Sequence, residues 1–118
     1  MTTLTEGSRK AEFIVSEAND WRSRDEVVTL TVPATGVASG TIVAISAAGV
    51  ATVEPAAGEE AGIVFAPFPA DQAGDYPATV IRRDAEVKAS ELTYLSTADA
   101  VAIEATNAVL AGLGIIVR

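Results

Sequence analysis

The 118-residue chain carries a net charge of −8 and is 49% hydrophobic and 20% charged, a balance that suits one folded domain with its own core. Its acidity argues against a nucleic-acid surface, which needs clustered Lys and Arg, and against docking on an anionic membrane. The absence of Cys and His excludes disulfides, thiol nucleophiles, serine triads and structural zinc.

Residues 1–26 read as an N-terminal arm, followed by a β-rich domain over 27–118. The arm holds half of the chain's basic residues, Arg9, Lys10, Arg22 and Arg24, interleaved with acids, and one short apolar island at Phe13-Ile14-Val15. It lacks the basic start and apolar run of a secretory signal. No stretch approaches the ~18 consecutive apolar residues of a membrane helix, so the chain is expected to be made in the cytoplasm and to stay soluble. An arm of this composition is either a terminus without fixed structure or a segment that orders on a partner.

Val27 to Val32 has the β-branched composition of a strand, and Pro33 ends it. Gly40 to Ile45 gives a second strand, with Ala47-Ala48-Gly49 as a turn and Val50 to Val53 as the hairpin return. Gly62 to Phe65 is a short buried strand, and Pro67 and Pro69 confine the residues around them to an edge or loop. Thr79 to Val87 reads as one long strand. Its alternation places Val80, Arg82, Asp84 and Glu86 on one face and Thr79, Ile81, Arg83, Ala85 and Val87 on the other.

One helix is expected late in the chain, capped by Ser96 with Asp99 at the third position. Ala98, Ala102, Ala105 and Val109, with Ile103 and Leu110 beside them, would form its packing face, and Gly112 its stop. Leu113 to Val117 makes a final strand. The fold class is therefore mainly β with one C-terminal helix (α+β).

Chemistry is hard to find along this chain. Gly36 to Thr41 looks superficially like a phosphate loop but lacks the Lys and the following helix. Asp84 and Glu86 lie two apart on one strand face, yet Arg82 and Lys88 flank them, which is the pattern of a solvated ladder. Asp71 and Asp75 lack the spaced oxygens of a calcium loop and suit a turn. No catalytic residue, cofactor or metal ligand is assigned, and no enzymatic activity is expected. Phe65, Phe68 and Tyr76 among prolines either cover a core edge or line a subunit contact.

Several short stretches stand in a distinctive order. They are Glu12 to Asn19 followed by Arg22-Ser23-Arg24, then Gly40-Thr41-Ile42-Val43, Ala61-Gly62-Ile63-Val64, Arg83 to Val87 and the ending Gly114 to Arg118. In this order the set resembles the phage lambda-type head decoration protein family, over nearly the whole chain. The resemblance implies a small β-tulip-like domain with an extended arm. It implies a homotrimer on the outer surface of the virion, assembled in the host cytoplasm, at local three-fold sites of the expanded head. There it reinforces the shell against packaged DNA, with the major capsid protein as partner, no nucleic acid or membrane, and no catalysis.

In relatives the arm is mobile until it pairs with strands of the capsid protein, and Phe13-Ile14-Val15-Ser16 has the composition for such strand addition. Phe13, Ile14, Val15, Trp21, Arg22 and Arg24 are the expected capsid contacts, and Phe65, Pro67 and Phe68 the expected trimer contacts. Deleting residues 2–24 is expected to leave a folded trimer that no longer decorates heads. The alternatives are a phage tail or baseplate module and a non-catalytic β-sandwich that binds ligands, although the row of exposed aromatics typical of the latter is missing.

Overall fold

The computed structural model describes residues 13–17, 23–56, 58–94 and 98–118, with the backbone alone at 25–27. Among the described residues the chain forms eight strands and one α-helix. In chain order these are β1 (Ile14–Glu17), β2 (Arg24–Val32), β3 (Ile42–Ile45), β4 (Val50–Val53), β5 (Gly62–Val64), β6 (Gly74–Ile81), β7 (Ala85–Val87), α1 (Ala100–Gly112) and β8 (Ile115–Val117). The architecture is mainly β with a single C-terminal helix, as the composition implies.

Five strands close into a barrel in the order β2-β4-β3-β5-β6. All its pairings are antiparallel except β2 with β4, which runs parallel. Valines and other small aliphatic side chains fill the interior: Val28, Leu30, Val32, Val43, Val64 and Val80 are buried together with Ala51 and Ala78. Closure removes the exposed edges that such strands would otherwise present.

A second core lies outside the barrel wall. The remaining strands form a sheet ordered β1-β7-β8, and Phe13, Ala85, Val87, Leu110 and Ile115 meet Ile42, Ile63, Phe65 and Ile81 of the barrel. This explains the continuous apolar runs in β3, β5 and the end of β6. At Ile42/Val43, Ile63/Val64 and Val80/Ile81 one residue points into the barrel and its neighbour into the second core. A strand buried on both faces has no polar side to show.

The expected long strand over Thr79–Val87 is two strands in two different sheets. β6 starts earlier, at Gly74, and ends at Ile81; β7 begins at Ala85. Asp84 between them adopts φ 48°, which turns the chain from the barrel into the outer sheet. Ser23, fully buried, holds this break: its Oγ donates to the Asp84 carbonyl at 2.7 Å, and its own carbonyl accepts from Arg82 N at 2.7 Å. Val80 is consequently a barrel-core residue and not a member of a wet face. Pro77 is accommodated within β6 opposite Thr29, beyond the reach of β5, where one flank of the strand has no partner strand among the described residues.

The helix begins one turn later than expected. Asp99 is its N-cap, and its carboxylate accepts from Ala102 N at 2.9 Å; Ser96 lies outside the described residues. Leu110 is the helix's one buried residue and anchors its C-terminal end, whereas Ala105, expected on the packing face, is exposed. The chain leaves the helix through Gly114 (φ 85°) rather than Gly112, and the Gly114 N–H donates to the Ala111 carbonyl.

Candidate functional site

The outer sheet brings both ends of the described chain onto one surface. Ser16 pairs with Glu86, and Glu86 pairs with Ile116, so these three side chains line the solvent face of β1-β7-β8. A register shift between Ile14 and Ser16 marks a bulge at Val15. Val15 and Ile116 are large apolar side chains left 49% and 44% exposed. As the outer strands of the sheet, β1 and β8 each have one flank unpaired among the described residues.

Glu86 is clamped at the centre of this face. One oxygen accepts from an Arg118 guanidinium nitrogen at 2.7 Å and the other from Ser16 Oγ at 3.3 Å. The Arg118 hydrogen bond holds the Glu86 carboxyl below its ordinary range, against the opposing effect of partial desolvation. A lowered folded value means that the clasp stabilises above the usual carboxyl range and is lost as pH falls through the folded value. The stability difference between the wild type and Glu86→Gln is therefore expected to shrink on acidification, as read by urea titrations at successively lower pH. A difference that grows instead would contradict the clasp.

The residues expected to contact a partner fall into different environments. Phe13 is fully buried in the second core, Ile14 is half-buried against it, and Val15 faces solvent. Arg24 makes a two-pronged ion pair with Glu17, both contacts at 2.7 Å, and its guanidinium lies 4.1 Å above the Phe65 ring. It ties β1 to β2, because a planar guanidinium can serve a carboxylate and a ring face at once. Trp21 and Arg22 lie outside the described residues.

Of the expected trimer contacts, Phe65 is buried beneath Arg24 in the domain's own core. Phe68 stacks on Tyr76 with ring centroids 5.8 Å apart and exchanges backbone hydrogen bonds with Val37, while Pro67 is exposed. The fold thus brings Phe13, Arg24 and Phe65 together, although sequence reading assigned them to an arm and to a subunit contact. The Ser16-Glu86-Arg118 cluster and Ile116 were missed. Their only signal is that Ile116 is the middle residue of the apolar run Ile115-Ile116-Val117, where a strand must turn alternate side chains to opposite faces.

This surface can add strands at its edges and bury apolar area, and the carboxylate at its centre, Glu86, is held by Arg118. Among the described residues no three Asp or Glu side chains gather to hold a metal ion, and no helix is long and apolar enough to cross a membrane. A family model described as bacteriophage lambda head decoration protein D matches residues 3–115. The chain belongs to that family. No curated protein and no solved structure matches it. A head decoration protein is a structural component of the phage capsid, so the role of this chain is capsid decoration and its place is the virion head.

Proposed function

We propose that this decoration protein binds the outer surface of the expanded head as a homotrimer at local three-fold sites and stabilises the shell against the pressure of packaged DNA. The observation that carries this reading is the family match across residues 3–115. The outer sheet supports it physically, because exposed Val15 and Ile116 lie on its two outer strands, whose outer flanks are unpaired among the described residues. Such a face gains main-chain hydrogen bonds and apolar burial from an added strand of the major capsid protein. Trp21 and Arg22, just before β2, belong to the same proposed contact, and Pro67 and Phe68 to the contact between subunits.

Three such faces on one trimer turn later contacts into intramolecular ones, which raises avidity by roughly 10²–10⁴ over a single face. Binding only the assembled, expanded shell stabilises that state by mass action. The test is cosedimentation with expanded, DNA-free heads, counting copies per shell. Saturation at one trimer per local three-fold site is expected, with Val15→Asp and Ile116→Asp each weakening binding at least about tenfold, since a charge would be buried at the contact. A folded wild-type protein that leaves heads bare would overturn the reading.

A further inference from the structure

A second feature lies away from the outer sheet, between α1 and the segment that leads from β4 to β5. There a cavity of about 80 Å³ is lined by Ala98, Ala102 and Ala105 of the helix region and by Ile42 and Pro55 of the barrel side. Glu60 closes it and is only 8% exposed. One Glu60 oxygen accepts from Thr106 Oγ1 at 2.9 Å, while the other, Oε2, is buried with no hydrogen-bond partner among the described residues.

The alanines explain the space. Leu110 pins the C-terminal end of α1 to the second core, whereas toward the cavity the helix presents only the short side chains of Ala102, Ala105 and Thr106. A hollow of this size holds several waters or the end of one long side chain. Its walls are apolar apart from the acidic group and Thr106, so it selects for an aliphatic stem ending in a cationic donor. Lysine and arginine have that form, and such side chains bury their stems while presenting the charge. Burial of a carboxylate oxygen with no donor is costly, and a partner that brings one recovers that cost on binding.

We propose that this cavity is a socket for one Lys or Arg side chain of the shell protein, a deepening that rests on the decoration reading above. The chain's charge of −8 favours a basic partner. A second copy, which carries the same charge of −8, is the poorer source because like net charges repel.

Two measurements test the socket. In the first, ethylguanidinium is titrated into the isolated protein and followed by NMR. Saturable shifts confined to the Ala102, Ala105 and Thr106 region, absent in Glu60→Gln, are expected. In the second, Glu60→Gln and Ala102→Leu are bound to expanded heads; the first removes the charge and the second fills the hollow without touching Glu60. Each is expected to bind roughly 10²-fold more weakly than the wild type at unchanged thermal stability. Wild-type affinity in both variants would mean that the cavity holds only water and would overturn the proposal. Loss of self-association with head affinity per copy intact would assign the occupant to a second copy and overturn it equally. If the wild type itself ignores heads while ethylguanidinium still saturates the site, the decoration reading fails and the shell as the source of the side chain fails with it, but the cation site stands.

Discussion

Phe13→Ala is expected to destabilise the domain by about 3–5 kcal/mol, the range for deleting a buried aromatic ring that its surroundings cannot fill. Phe13 is fully buried, shares the second core with Phe65, Val87, Leu110 and Ile115, and its carbonyl accepts from Lys88 N at 2.8 Å. Domains of this size are stable by only about 5–15 kcal/mol, so the loss is a large fraction of the total. Urea unfolding should show a much lower midpoint, whereas Val15→Ala, at an exposed position close by in β1, should shift it little. If Phe13→Ala unfolded like the wild type, Phe13 would have no structural role and its assignment to partner contact would regain its place.

The same burial alters what truncation reports. Removing residues 2–24 deletes Phe13, the whole of β1, Ser23 and Arg24, and with them the Glu17-Arg24 pair. That truncation is expected to compromise the fold, contrary to the expectation from sequence of an intact trimer. Loss of decoration would then report lost folding as readily as a lost contact. Point changes at Val15 and Ile116 separate the two.

Gly40→Ala should be about as damaging, at about 3–5 kcal/mol, combining backbone strain with overpacking. Gly40 adopts φ +90°, and a Cβ there would lie 2.3 Å from the Glu91 carbonyl oxygen. The close approach is fixed on both sides: Gly40 N donates to the Val64 carbonyl and Thr93 N donates to the Gly40 carbonyl, each at 2.9 Å. These bonds lace the 89–93 segment onto the barrel, so the neighbour cannot yield without breaking a lace. Gly49→Ala, at a similar φ of +80° but in open space, is the control that isolates strain from collision. Equal losses in the two variants would show that collision contributes nothing at Gly40.

Much of this fold is legible in the sequence because strand formation is written locally. Val27 to Val32, stopped by Pro33, and the pair Gly40 to Ile45 and Val50 to Val53 carry composition, turn residues and period within a few positions, and the strands form there. The helix is legible for the same reason, but its cap is not. Ser96 and Asp99 are both good capping residues, and composition alone does not choose between them; in the fold Asp99 accepts from Ala102 N.

The packing face of the helix differs from expectation at Ala105, since an alanine stripe has no strong preference for a core. At Thr79 to Val87 the alternation is continuous across Asp84, and nothing local marks the turn that sends its two halves into different sheets. The buried Ser23, sixty-one positions away, decides it.

The candidate site shows the same division. The class of molecule can be read from the chain without any coordinates: acidic, without Cys or His, built of small β-branched residues, and bearing the ordered series of short stretches that marks the decoration family. Those properties are sums and local patterns, which a linear chain states outright. Which residues face a partner emerges only on folding. The fold buries Phe13 and Phe65, locks Arg24 to Glu17, and exposes Val15 and Ile116, from opposite ends of the described chain, on one small sheet. It also leaves one oxygen of Glu60 without a donor among the described residues. Burial and pairing depend on what distant segments bring to each side chain, and no local pattern encodes that.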